Sequence, residues 1–213
     1  MITRLLLCIS IFTLFFSCSN NDSVTPTDQE ANFYALTVGN SWVYKNYRYN
    51  MQSEIYEDTG VVDSISIVST EDISGQTYFK FRRLTTGNEE GISLCNPNGE
   101  HFEFLREDNG NLVRDDGTLK FTNNDYSLRI ISDNEWGDVV EQLIEGETTI
   151  MVEAGSFNCI NSERYAILTG GTNSSGLDRF YYSEGVGLIY DTSSTITNNI
   201  PTIIRRLDSY SIQ

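Results

Sequence analysis

From residue 32 to the end of the chain, apolar residues recur mainly at every second position, the period of a half-buried strand. In 60–70, Ile65 and Ile67 alternate with Ser64 and Ser66; in 77–84, Phe79 and Phe81 alternate with Tyr78, Lys80 and Arg82. In 101–106, Phe102 and Phe104 alternate with His101, Glu103 and Leu105, which assigns the two rings to the buried face and His101 to water. Further strands are predicted over 41–50, 126–132, 148–153, 158–168, 177–182, 188–191 and 203–212. Turn chemistry separates them. Asp108-Asn109-Gly110-Asn111 joins two short strands because Asn and Gly both accept positive φ, and Ser74-Gly75-Gln76 and Asp115-Asp116-Gly117 are similar. Trp42 follows the turn signal Gly39-Asn40 and opens an aromatic strand, so it is expected in the core. Residues 136–144 are the one stretch that fits a short helix. Many short strands at this spacing mean a sandwich, a barrel or a strongly curved sheet.

The first 31 residues break that period. Arg4 precedes an apolar run over 5–16, too short to cross a bilayer comfortably, which takes about 20 residues. Small Ser17 then precedes Cys18, completing the three parts of an export signal. Phe15-Phe16-Ser17-Cys18 resembles a lipobox, with Phe15 in the slot that usually holds Leu and Leu14 one place earlier. The resemblance implies a leader over 1–17, cleavage before Cys18 and acylation of the Cys18 thiol. Two or three chains, at about 0.8 kcal/mol per buried methylene, anchor stably where one does not. Ser19 stands where Asp would signal inner-membrane retention, which points to the outer membrane. Residues 18–31 are polar, contain Pro26 and show no periodicity, so they are expected to be a disordered tether spanning up to about 40 Å at about 3.3 Å per residue. Residues 32–213 form the one remaining domain.

Charge narrows the partners. The 213-residue chain carries a formal −16, with 30 acidic against 14 basic residues. Neutralising nucleic-acid phosphates, or docking on anionic lipid through a basic patch, needs Lys/Arg clusters that are missing here. The expected attachment to the membrane is the lipid on Cys18, and solubility accounts for the acidity.

Three segments, in order, resemble a group of uncharacterised Bacteroidota-type envelope lipoproteins. They are Phe33-Tyr34-Ala35-Leu36-Thr37-Val38-Gly39-Asn40-Ser41-Trp42-Val43-Tyr44, then Val152-Glu153-Ala154-Gly155-Ser156-Phe157-Asn158-Cys159, then Tyr181-Tyr182-Ser183-Glu184-Gly185-Val186-Gly187-Leu188-Ile189. The resemblance implies a single antiparallel sheet curved into a half-barrel, like periplasmic lipoprotein carriers, and no established activity. The expected fold is therefore all-β with at most one short helix: one strongly curved sheet, half-barrel or barrel-like. Gly155, Gly185 and Gly187 fit tight turns or bulges, and Phe157 and Val186 fit core anchors.

Little in this domain carries chemistry. Cys95 and Cys159 remain after processing; a disulfide between them and two buried free thiols are both open. His101 is the single histidine, and with Cys95 and Glu103 it matches no zinc-ligand spacing. A Ser-His-Asp triad would need it, yet no nucleophile-elbow motif exists. No catalytic residue, metal or cofactor is assigned, and the carboxylates are treated as solvated surface. Asp22-Ser23-Val24 and Asp63-Ser64-Ile65 fit a short O-glycosylation pattern of some Bacteroidota-type bacteria. Two non-catalytic functions follow: a binding module whose concave face takes an apolar or amphipathic ligand, and an envelope interaction protein that engages a protein or glycan. An apolar cavity of about 300 Å³ or more favours the first, and a filled core with an exposed aromatic patch the second.

Overall fold

The computed structural model describes residues 32–213, so the leader, Cys18, the tether and the pattern at Asp22-Ser23-Val24 lie outside the described residues. The described chain contains twelve strands: β1 (Ser41–Asn50), β2 (Ile55–Ile73), β3 (Gln76–Thr86), β4 (Gly99–Asp108), β5 (Asn111–Arg114) and β6 (Leu119–Thr122), then β7 (Arg129–Asn134), β8 (Gly137–Val152), β9 (Gly155–Leu168), β10 (Asn173–Ser183), β11 (Gly187–Ser193) and β12 (Ile203–Ser211). They form one antiparallel sheet in the order β6-β5-β4-β3-β2-β1-β12-β11-β10-β9-β8-β7. Every neighbour is also a neighbour in sequence, apart from the pair β1–β12. This is the order of an up-and-down barrel, opened at one seam between β6 and β7.

Bulges and register shifts curl the sheet. They interrupt β1–β12 at Val43/Tyr44, β1–β2 at Lys45/Tyr47, β2–β3 at Ile67/Ser69 and β8–β9 at Ile144/Thr148. Each extra residue increases local twist and bends its strand. The bend brings β6 against β10: Phe121 stacks on Tyr182 with ring centroids 4.0 Å apart. The β8–β9 tip likewise reaches β12, where Ala154 N donates to Leu207 O at 3.2 Å and the Phe157 ring meets Tyr210.

The core fills the concave face. Trp42, Tyr44, Ile67, Leu105, Leu112, Phe121, Leu143, Tyr182, Ile189 and Leu207 are all buried there. The segment leading into β1 folds into the same interior. Tyr34 packs edge-on against Phe121 and Tyr182, and its hydroxyl donates to Gly110 O at 2.6 Å. Gly110 O is available because Asn109 and Gly110 both take positive φ, 52° and 82°, as the Asn-Gly turn requires.

Two expectations are corrected. Residues 136–144 are not helical: all but Trp136 belong to β8, whose residues pair with β7 on one side and β9 on the other. Val139, Val140 and Ile144 are β-branched, and a partner on each flank outweighs a short helical pattern. In β4 the period was right but the side was inverted. Leu105 is buried with Glu103 on the concave face, and His101 shares that face. Phe102 and Phe104 point to the outer face, where the Lys80 ammonium lies 5.0 and 5.4 Å from the two ring centroids. A strand one face out of phase exchanges every side chain, and period alone does not choose the face.

Candidate ligand-binding cavity

A cavity of about 230 Å³ opens in the concave face. Three rows of residues paired across β1 to β4 stand behind its wall, with Trp42, Tyr44, Ile65, Phe81, Arg83, His101 and Glu103 lining it. One runs Trp42–Ile65–Arg83–His101, a second Ile67–Phe81–Glu103 and a third Tyr44–Asp63–Thr85. Leu36 and Leu112 add apolar surface, and Lys120 and Arg205 add charge. Its walls are more apolar than polar, with a few ionised groups set among rings and aliphatic chains.

The rings are held by their polar ends. Trp42 is 4 % exposed, stacks on Phe81, and donates from Nε1 to Val186 O at 2.8 Å. The Tyr44 hydroxyl donates to Leu188 O at 2.8 Å, and burial pushes its pKa up, so it stays protonated. Both bonds cross over β12, which lies between β1 and β11 in the sheet. They fix two aromatic walls and satisfy donors that would otherwise be costly to bury.

The charges fall into two paired groups and one unpaired residue. Glu103 accepts from Arg114 Nε at 2.8 Å and from Lys120 Nζ. Burial alone would raise the Glu103 carboxyl; Lys120 and Arg114 outweigh it and hold the pKa below the usual range. Burial lowers the Lys120 pKa, with Glu103 working against it. Arg205 grips Asp191 with Nε and Nη2 at 2.9 and 2.7 Å, and its Nη1 lies 3.7 Å from Asp63. Burial opposes the Arg205 charge, and these carboxylates overcome it, so the guanidinium is held above the usual arginine range. Arg83 has no such partner: among the described residues its side chain makes no hydrogen bond or ion pair, and its Nε is buried and unsatisfied. Burial pulls its pKa down, Asp63 pulls it up and the neighbouring Arg205 pushes it down further.

The loop 87–98 completes the site. Gly87 takes φ +83°, and a Cβ there would stand 2.1 Å from Gly60 O, so only glycine permits the approach to β2. Asn88 then organises the loop, accepting from Ile92 N at 2.6 Å and donating to Asn96 O at 2.9 Å. This sets the Asn96 amide on both Asp63 oxygens at 3.1 Å, beside the cavity. A smaller polar cavity of about 120 Å³ shares Asn96 and Arg205.

The structure scatters the residues singled out from sequence. Cys95 and Cys159 are both free, so the candidate disulfide is absent. Cys95 sits in the 87–98 loop near Asp63, whereas Cys159 is buried on β9 near Glu147. Burial pushes their thiols up to about 11 and about 12, away from reactive thiolate. His101 lines the cavity mouth and is itself exposed. Ser64 is exposed on the outer face of β2, while its neighbour Asp63 is fully buried. Gly155, Gly185 and Gly187 all have positive φ, and Phe157 and Val186 pack against the core. Among the described residues, no group of three His, Cys, Asp or Glu side chains could hold a metal ion.

Sequence reasoning missed Arg83, Lys120 and Arg205. A signal existed for Arg83, since the inward period Phe79, Phe81 continues to it. Nothing local marked Lys120 or Arg205 as inward.

No family model matches the chain, and no curated protein matches it. Two solved structures are similar in outline. One is described as a "putative exported protein with YmcC-like fold" from Bacteroides fragilis; it is 12 % identical with a TM-score of 0.49, covering 85 % of this chain and 99 % of that one. The other is described as a "putative lipoprotein" from Parabacteroides distasonis; it is 15 % identical with a TM-score of 0.45, at the same coverage. Likenesses this distant attach no activity, ligand or partner to the chain.

Proposed function

We propose that this chain is a lipid-anchored envelope protein that binds the apolar end of an amphipathic ligand in its concave cavity. The supporting observation is the cavity itself: about 230 Å³, walled by Trp42, Phe81, Ile65, Leu105 and Leu112, within the main apolar cluster. Native interiors leave few voids larger than a water molecule, because each one forfeits dispersion contacts. The volume lies below the roughly 300–1,000 Å³ of pockets that enclose drug-sized ligands. It therefore suits a small ligand, or one end of a longer one, and not a whole lipid. In this reading Cys18 supplies the anchor, after cleavage of the leader, and the outer membrane is the destination.

The test uses the chain from residue 18 onward with Cys18→Ser, so that no attached acyl group competes. Trp136→Phe leaves Trp42 as the only tryptophan. Octyl glucoside below its micelle concentration should shift Trp42 fluorescence saturably, and Ile65→Phe, which fills the cavity, should remove the shift. A shift that persists in the filled variant would reject the cavity as the binding place.

A second reading rests on a different surface. Around β7, the strand at the open seam, Tyr126, Leu128, Ile130, Ile131 and Trp136 are exposed, Ile130 by 65 %. An exposed apolar edge strand is a template for pairing with another chain, which suits an envelope interaction protein. Ile130→Glu should abolish capture of a protein partner under that reading and leave octyl glucoside binding unchanged.

A further inference from the structure

The cavity holds one cation, Arg83, that no carboxylate meets within ion-pair distance. Lys120 and Arg114 share Glu103, and Arg205 is met by Asp191 and Asp63. Arg83 has no carboxylate within ion-pair reach, and its Nε is buried without an acceptor. A buried donor left unsatisfied is costly, and a buried unpaired charge more so. The sheet nonetheless directs Arg83 inward, in the same row as Trp42 and Ile65. A methionine or leucine there would continue the apolar pattern of Phe79 and Phe81 without that cost.

Resting on the binding reading above, we propose that Arg83 docks the carboxylate of a short-chain amphiphile whose tail lies along Trp42, Phe81, Leu105 and Leu112. Charge balance selects a singly charged head, because one guanidinium is free and the other cations already hold carboxylates. Guanidinium geometry selects a planar anion, since Nε and an Nη present two parallel donors to two oxygens. Volume selects the tail: at roughly 30 Å³ for a water-sized group, a cavity of about 230 Å³ holds about eight of them. A methylene is of similar size, so octanoate is the natural probe.

The experiment titrates the Cys18→Ser, Trp136→Phe protein with octanoate, 1-octanol, octylammonium and octyl phosphate, reading Trp42 fluorescence. Octanoate should bind about ten- to a hundredfold more tightly than octanol, the scale of a charge-assisted hydrogen-bonded pair, and octylammonium more weakly than octanol. Arg83→Gln should bring octanoate down to the octanol level and leave octanol unchanged. Equal binding of octanoate and octanol in the Arg83 protein would overturn the head-group assignment while leaving the cavity reading intact. Tighter binding of octyl phosphate than octanoate would overturn the charge count. Failure of all four to bind up to their solubility would end both this inference and the reading it rests on. The four-ligand comparison needs no variant at Arg83, so it stands even if Arg83→Gln fails to fold.

Discussion

Two places in the concave interior bury charge, and they do so differently. On β7, β8 and β9, Glu141 is 1 % exposed and accepts from Arg129 at 2.8 Å, from Arg164 at 2.6 and 2.8 Å, and from Ser162 at 3.1 Å. One carboxylate there ties three adjacent strands, and none of its partners lines the cavity. On β3, Arg83 is half-buried beside the cavity, with its Nε enclosed and no carboxylate within ion-pair distance. In the first the carboxylate has its partners within the chain, although Arg129 keeps its Nε and Nη1 buried without an acceptor. The second leaves the Arg83 Nε without an acceptor beside the cavity, where the proposed carboxylate would meet it. An unsatisfied nitrogen alone therefore does not mark a site; Arg83 differs from Arg129 in facing the cavity and in lacking any ion pair.

The comparison is broken most forcefully at Glu141. Glu141→Gln leaves two arginines without their shared carboxylate, and removal of one partner from a buried ion pair costs about 3–5 kcal/mol. A urea melt should show that loss. A change below about 1 kcal/mol would mean that the cluster holds nothing together. Arg83→Met should act in the opposite direction. It removes an unsatisfied buried donor worth about 1–3 kcal/mol, so the midpoint should rise or stay level, at the expense of carboxylate binding. Marked destabilisation by Arg83→Met would show that Arg83 is paired after all.

Acid separates the paired group from the unpaired cation. The Glu103 carboxyl lies below its ordinary 4.5, because Lys120 and Arg114 outweigh the effect of burial. Since folding lowers this pKa, its contribution is complete above the unfolded value and is lost as pH falls through the folded one. The stability gap between the parent protein and Glu103→Gln should be constant near neutral pH and close progressively below about pH 4.5. A gap that widens on acidification would contradict the pairing.

The smallest expected effect concerns the thiols. With pKa values pushed up to about 11 and about 12, neither Cys95 nor Cys159 should react quickly with a thiol reagent at pH 8. Cys95 should react slowly through its partly exposed loop, and Cys159 only on unfolding. Fewer than two titratable thiols in the denatured, unreduced protein would show a disulfide and contradict their separation.

The sequence made the strands legible because alternation is local. β1 was expected over 41–50 and is Ser41–Asn50, and the Asn109-Gly110 turn follows from two residues that tolerate positive φ. Side assignment was less legible. In β4 the most apolar side chains, Phe102 and Phe104, lie outside under Lys80, while Glu103 lies inside because Lys120 and Arg114 come from strands β6 and β5 to meet it. That pairing spans 11 and 17 residues of chain and leaves no local trace. Arg205 is more distant still, reaching Asp63 across the bend of the sheet. Residue 83 was visible as an inward position, but its lack of a partner is a property of the assembled interior.

The most direct test of the cavity as a binding site is a crystal structure of the Cys18→Ser protein grown with saturating octanoate. It should show the carboxylate on the Arg83 guanidinium, within about 3 Å as charge-assisted pairs require, and the chain running between Trp42 and Leu112. A cavity holding only water at saturating octanoate, or octanoate seated solely on the β7 edge, would contradict it.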